Sequence, residues 1–360
     1  MTQQPSTRST IDVRYARWSG PGQPFALVPA TTPRMPHPGE VLVRVDLATV
    51  CGSDLHTVAG HRPAPRPGVL GHEQVGTVVA VGEGAPPCQD GTEITPGMRV
   101  VWSVTASCGK CHRCRRGLTQ KCERLRKYGH EPLDERAPLT GGFATHCVLL
   151  PGTTVVAVPP ALPDAVACPA SCATATVAAV IAAAGPLDGR RVLVTGAGML
   201  GLTAIAMAAT AGARVTAVDP DPGRRAQAAR FGAHDVAGTG EVHGEVDAAL
   251  ELSGHPEAVR TCLGSLAIGG RAVLAGSVSP GAPVPLDPER LVRGLGSVAG
   301  VHNYAPADLQ RAVDFLTAHH HSYPFAELVE GAYPLTELDA AVAAARSAVA
   351  PRQAVVPHAS

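Results

Sequence analysis

The chain has 360 residues, 45% hydrophobic and 17% charged, enough for about two domains at roughly 150 residues each. Lys plus Arg and Asp plus Glu each number 30, so the formal charge is zero, a balance that argues against a general nucleic-acid or anionic-membrane binder. No apolar run reaches the ~18 residues of a membrane span, and the polar opening Met1 to Thr10 lacks an apolar signal core, so a soluble, cytoplasmic protein is expected.

In chain order, the first half shows short strand signals between Gly and Pro breakers. Val41 to Val45 and Val75 to Val81 are rich in β-branched residues, and Met98 to Val104 reads as a further strand. Helical periodicity is scarce before about residue 160, which suits a mostly β domain. The texture then changes. Ala165 to Ala184 reads as one or two helices. Strand Val192–Val194, helix Leu200–Ala211, strand Val215–Val218 and helix Arg224–Phe231 follow in alternation. The series continues with strand Ala248–Leu252, helix Pro256–Leu263, strand Arg271–Ala275 and a last strand at Ser297–Val301. This β-α-β rhythm predicts an α/β, doubly wound parallel sheet. Ala307–Ala318 and Leu338–Ser347 read as helices, and Val355–Val356 as a short strand returning to the first domain.

Four of the ten cysteines, Cys108, Cys111, Cys114 and Cys122, fall within fifteen residues. Four thiolates at such turn-compatible spacings fit a closed structural zinc site better than disulfides in a chain without a secretion signal. The flanking Arg113, Arg115, Arg116 and Lys121 lack the interleaved aromatics that base stacking needs. Thr195-Gly196-Ala197-Gly198-Met199-Leu200-Gly201 follows one predicted strand and opens the next helix. In that context the glycines read as a dinucleotide fingerprint: Gly196 for the tight turn, Gly198 for approach of the pyrophosphate, Gly201 for helix–strand packing. The helix start at Met199 and Leu200 offers free amides to phosphate. Asp219 ends the next strand, 18 residues beyond Gly201. A carboxylate there bonds ribose hydroxyls and repels a 2′-phosphate, favouring NAD over NADP, although Arg224 and Arg225 close by are able to meet a phosphate.

Two earlier segments carry ligand-type residues, Cys51-Gly52-Ser53-Asp54-Leu55-His56 and Gly71-His72-Glu73. Taken with the four-cysteine lobe and the glycine motif, the chain resembles the zinc-dependent alcohol dehydrogenases of the medium-chain dehydrogenase/reductase superfamily, over roughly residues 25 to 350. The resemblance implies a GroES-like catalytic domain at 1–160 with a structural zinc lobe at 106–124, a Rossmann NAD-binding domain at 161–302, and a segment 303–360 returning to the catalytic domain. It implies that Cys51 and His72 bind a catalytic zinc, with a third ligand from the Cys168–Thr176 stretch. Cys172 is favoured because Thr176 matches the family's threonine beside the nicotinamide, while Cys168 is a rival. Asp54 resembles the carboxylate that orients the histidine ligand, Glu73 a neighbouring or exchanging ligand, and Arg224 the basic residue near the ribose. Three protein ligands leave zinc's fourth position for substrate oxygen. Ser53 has a hydroxyl able to accept the alcohol proton, and His56 an imidazole able to pass it on to water.

The expected activity is therefore reversible hydride transfer between an alcohol and NAD, giving an aldehyde or ketone. A zinc-free quinone or enoyl reductase and a non-catalytic cofactor-binding protein are the alternatives. Lys127 to Glu131 and Val301 to Tyr304 are expected near the substrate, which suits a small polar or anionic alcohol. The texture at Cys172–Ala179 and Gly300–Tyr304 resembles a subgroup associated with phosphonate metabolism. A homodimer or homotetramer that extends the dinucleotide-domain sheet is the expected assembly.

Overall fold

The computed structural model describes residues 9–241, 244–347 and 349–359; most of the polar opening read above lies outside them. The chain divides into two compact units. One holds the residues up to Cys172 together with those from Val329 onward, and the other is Ala173–Leu328. The divisions anticipated near 160 and 302 thus fall at 172 and 328. The helix Pro306–His319 packs on Ala173–Ala184 and so belongs with the second unit.

The first unit is mostly β. Its main sheet runs Val329–Pro334, Arg352–Val356, Val41–Val50, Gln74–Val81, Arg99–Ala106, Arg126–Lys127. His146–Leu149 pairs with Val41–Val50, and Thr153–Ala157 with Arg99–Ala106. The β-branched run Val41–Val50 is buried at both ends of the strand, as a central strand requires. Trp18, Trp102, Tyr128 and Phe143 are buried in the same core, each contributing on the order of 2 kcal/mol by removal from water. The returning strand Arg352–Val356 lies antiparallel to Val41–Val50, with Gln353 opposite Val50. That register sets Arg352 next to Cys51.

The N-terminal strands Thr10–Trp18 and Ala26–Pro33 form a smaller sheet with Gly68–Val69. Their signal is blunted in sequence by Arg14, Ala16 and Arg17, and by the prolines at both ends of the stretch 29–33.

The second unit is a six-stranded, wholly parallel sheet in the order Asp235–Ala237, Arg214–Val218, Arg191–Thr195, Val246–Glu251, Leu266–Leu274, Ser297–Gly300. The first strand of the unit is central and the order reverses beside it, the arrangement that opens a ligand crevice at the strand ends. Val192, Leu193 and Val194 are fully buried, because helices cover both faces of such a sheet. The helical stretch from Ala165 breaks into Asp164–Ala167, a tight turn at Cys168–Ser171 and Ala173–Ala184; Pro169 lacks the amide that a continuous helix needs. Strand Leu266–Leu274 starts five residues before Arg271, its beginning hidden in sequence by Gly269 and Gly270. Among the described residues no single helix is long and apolar enough to cross a membrane.

Candidate active site

Three segments of the first unit converge. Cys51 follows strand Val41–Val50 and caps helix Gly52–Val58. Asp54, three residues on, accepts from the Cys51 amide at 3.0 Å, which fixes the turn. Gly71 precedes His72 at φ 87°, and a Cβ there would stand 2.8 Å from the Phe143 amide nitrogen, so only glycine allows this path. Cys172 leaves the turn Cys168–Ser171, and Ser171 ties that turn to the histidine loop: its Oγ donates to the His72 carbonyl (3.3 Å) and accepts from the Gln74 amide (3.2 Å).

As a result, one donor atom each from Cys51, His72 and Cys172 lie within 4.8 Å of one another. His72 Nδ1 is 3.4 Å from Asp54 Oδ1, and Nε2 is 2.9 Å from Ser53 Oγ. Ser53 Oγ is also 3.6 Å from Cys51 Sγ. Cys168 turns elsewhere, its thiol facing the Leu47 carbonyl and Thr49 Oγ1 at 3.6 Å each. The choice left open in sequence between Cys168 and Cys172 is thus decided for Cys172.

Glu73 is not among the converging donors. Arg352 grips both its oxygens, at 2.5 and 2.8 Å, and Thr49 Oγ1 donates to it at 2.8 Å. Arg352 Nη2 also lies 3.4 Å from Cys51 Sγ. Burial pushes Glu73 up to about 7, against the pull of Arg352. A hydrogen bond from Cys172, helped by Arg352, holds the Cys51 thiol well below its ordinary range and pushes Cys172 up. On His72 burial opposes charge, but Asp54 and Cys51 outweigh it and raise the ring to about 10. A buried pocket of two sulfurs and one nitrogen that favours added positive charge is the donor set zinc takes in a catalytic site. Alcohol dehydrogenase is itself the standard instance of that Cys2His set.

His56 is exposed on helix Gly52–Val58, its ring 6.1 Å from that of His61. His130 stacks obliquely on His72, ring centres 5.0 Å apart, with Nδ1 on the Tyr128 carbonyl at 2.9 Å. Burial, then repulsion from His72, keeps His130 well below the usual imidazole range.

In the lobe, the sulfurs of Cys108, Cys111, Cys114 and Cys122 also lie within 4.8 Å of one another. Backbone amides aim at them: Cys114 N at Cys111 Sγ (3.4 Å), and Cys108 N and Arg124 N at Cys122 Sγ (3.3 Å each). Such bonds favour thiolate, and the amides of Glu123 and Cys114 push Cys111 down to about 6. The residues fit a closed four-sulfur zinc site.

The glycine loop of the second unit fits a dinucleotide. Gly196 has φ 90°, and a Cβ on it would stand 2.9 Å from the Ser253 Cβ. A Cβ on Gly201 would collide with the Gly196 carbonyl, whereas around Gly198 there is open space. Met199 and Leu200 begin helix Met199–Thr210, which Gly198 caps without a side-chain hydrogen bond. Asp219 is buried, one oxygen accepting from Ala197 N (2.8 Å) and the other from Asp221 N (3.0 Å). Arg225 is held on the Asp219 and Pro220 carbonyls, while Arg224 is exposed at the start of helix Pro222–Arg230. Thr176 is half-buried on Ala173–Ala184. After the last sheet strand, Asn303 adopts φ 54° with its Nδ2 buried and unpartnered.

Arg352 was missed in sequence. Its only signal is the returning strand, which carries no hint of what the arginine meets.

Residues 37–160 match the family described as alcohol dehydrogenase GroES-like domain, and residues 200–318 the family described as zinc-binding dehydrogenase. The chain is 33% identical over 276 residues to an L-threonine 3-dehydrogenase of Pyrococcus horikoshii, covering 71% of this chain and 73% of the relative. It is 30% identical to a 5-exo-hydroxycamphor dehydrogenase of Pseudomonas putida, covering 85% and 89%. The crystal structure of an alcohol dehydrogenase from Thermotoga maritima superposes with a TM-score of 0.89 at 26% identity, covering 97% of this chain and 100% of that one.

Proposed function

The chain belongs to the zinc-dependent medium-chain alcohol dehydrogenase family, and from that premise we propose that it oxidises a small polar alcohol reversibly to an aldehyde or ketone with NAD. The observation that carries this is the meeting of Cys51, His72 and Cys172 beside the Ser53 hydroxyl. Bound zinc supplies a Lewis acid with one open position, and bound NAD the two-electron acceptor. Ser53 takes the proton leaving the alcohol, and exposed His56 releases it to water. Asp54 holds His72 through Nδ1, which keeps Nε2 aimed at the donor cluster. Arg352 neutralises Glu73 and lies beside the Cys51 thiolate, so the ion sees a balanced surrounding.

Gly196, Gly198 and Gly201 would carry the pyrophosphate at the start of helix Met199–Thr210, and Asp219 would select NAD by meeting the ribose hydroxyls. Arg224 would lie at the ribose edge, and Thr176 would pack against the nicotinamide. Among polar alcohols, one bearing a phosphonate belongs to this reading because Lys127 and His130 accompany His72. The free edge Ser297–Gly300 supports a homodimer or homotetramer through the sheet.

Metal analysis of the purified protein should give two zincs per chain. With NAD and a panel of alcohols, Ser53→Ala should lower kcat about 100-fold while leaving zinc content unchanged. Turnover intact after removal of both zincs would favour the zinc-free reductase, and cofactor binding with no turnover the non-catalytic protein.

A further inference from the structure

Two cations near the donor cluster, Lys127 and Arg62, have no acid partner among the described residues. The turn Lys127–His130 leaves strand Arg126–Lys127, where Lys127 is opposite Thr105. It is clamped against the zinc-ligand loop: Gly129 has φ 73°, and a Cβ on it would strike the Gly71 carbonyl. Tyr128, buried behind the turn, accepts from Leu150 N and shares a hydrogen bond with Thr153 Oγ1, both at 2.7 Å. The Lys127 position is therefore built rather than loose, and His130 of the same turn touches the His72 ring. Arg62 is near enough for its charge to act on both Lys127 and His130. His61 N and Arg62 N both donate to the His56 carbonyl, wrapping the chain around the end of the helix that Cys51 begins.

Every carboxylate in this neighbourhood already has a partner. Glu131 accepts from Arg126 Nε (2.6 Å) and the Lys127 amide (2.7 Å). Asp54 faces His72 and the amides of Cys51 and Gly71, and Glu73 belongs to Arg352. Among the described residues neither the Lys127 ammonium nor the Arg62 guanidinium pairs with an acid. Both side chains are half-buried. Burial, and then the charge of Arg62, push Lys127 down to about 8, while the thiolates of Cys172 and Cys51 draw it upward. A dication with two thiolates and a neutral imidazole has no net charge, and Glu73 with Arg352 has none. Lys127 and Arg62 against Asp54 leave an excess of one positive charge.

We propose that Arg62 and Lys127 form the subsite for the acid group of the substrate, so that the enzyme acts on alcohols carrying a carboxylate or phosphonate a short reach from the hydroxyl. The subsite rests on the reading of Cys51, His72 and Cys172 as the reaction centre. It adds what that reading lacks: a means of choosing among alcohols.

Two measurements test it. The first compares kcat/KM for 1-propanol, 3-hydroxypropionate and 2-hydroxyethylphosphonate. The wild type should prefer an anionic alcohol, and the two acids distinguish carboxylate from phosphonate. Lys127→Met and Arg62→Gln should each lower the anionic-to-neutral ratio about 10- to 100-fold, the worth of one charge-assisted hydrogen bond, and Lys127→Arg should restore much of it. An unchanged ratio, or a wild type indifferent to charge, overturns the proposal. The second measurement needs no turnover. Calorimetric titration of the zinc-loaded protein with methylphosphonate and with acetate should show saturable binding that both variants weaken about tenfold or more. Saturable binding by a protein that oxidises no alcohol would keep the subsite and remove the dehydrogenase reading; no binding, or binding indifferent to the variants, would remove the subsite.

Discussion

Arg352 carries a full charge into a core where Glu73, the Cys51 sulfur and the Pro351 carbonyl meet it. An ion pair of this kind stabilises little compared with an apolar pair, but breaking it is costly, because the surviving charge keeps its desolvation penalty. Arg352→Met should therefore destabilise the protein by ~3–5 kcal/mol, read from urea denaturation of the zinc-loaded form. The double variant Arg352→Met, Glu73→Gln should recover part of that loss; no recovery would mean that the arginine acts through packing alone. A second residue makes a pH prediction. His146 is buried, its ring against His358 and its Nδ1 at 3.0 Å from Thr145 Oγ1. Burial, then His358, pushes it down to about 4. The unfolded chain binds that proton near pH 6.5 and the folded chain does not, so its stabilising contribution is full above 6.5 and is lost as pH falls toward 4. The loss is at most ~1.4 kcal/mol per pH unit. His146→Gln should flatten the fall in stability between pH 6.5 and 4 relative to wild type; parallel curves would refute the assignment. The lobe cysteines were legible from their spacing, whereas Cys51 and His72 were legible as zinc donors only through the family resemblance that the lobe and the glycine motif supported. Arg352 was not, lying 301 residues from the sulfur it touches, and the choice between Cys168 and Cys172 depended on which way a turn of four residues faced.

At the scale of elements, the glycine loop was readable because strand, turn and helix follow one another in sequence, each glycine answering a local need. The contact between Gly129 and Gly71 was not, since the segments that hold them lie far apart in sequence and their meeting depends on two loops folding together. It is nonetheless what brings the Lys127–His130 turn to His72. Gly129→Ala adds a Cβ to a residue at φ 73°, against a backbone carbonyl that has no room to give. The strain is ~1–3 kcal/mol, and its relief requires one loop to move. The expected result is a lower urea midpoint together with weaker zinc retention at the Cys51, His72, Cys172 site, followed by metal release on titration with a chelator. The four-cysteine lobe should keep its zinc in the same experiment. Loss from both sites alike would mean general unfolding rather than a displaced His72 loop. The small N-terminal sheet shows the opposite limit: its strands were passed over because Arg, Ala and Pro weaken a pattern that the long register from Thr10 to Arg17 completes only when the partner strand is present.

For the molecule as a whole, the doubly wound sheet was the most legible feature, since alternating strands and helices of ordinary length admit few topologies. Its outer edge raises the question of assembly. The strand Ser297–Gly300 ends the sheet on one side and, among the described residues, pairs only with Leu266–Leu274. Around it Ile268, Val292 and Leu295 are each more than 70% exposed, and Val298 on the strand itself is 41% exposed. Proteins that stay single protect such an edge with charge, proline or a covering loop; here apolar side chains stand beside unpaired backbone. A second copy related by a two-fold axis would pair edge to edge, supply the missing backbone bonds and bury those side chains against their own counterparts, which a two-fold interface permits. Light scattering should then give the wild type a mass of two or four chains. Val298→Asp combined with Leu295→Asp places like charges opposite each other across the axis and should shift the mass to that of one chain at micromolar concentration, with the unit still folded by circular dichroism. A wild type that runs as a single chain, or a double variant that stays assembled, would show that this edge is not where copies meet.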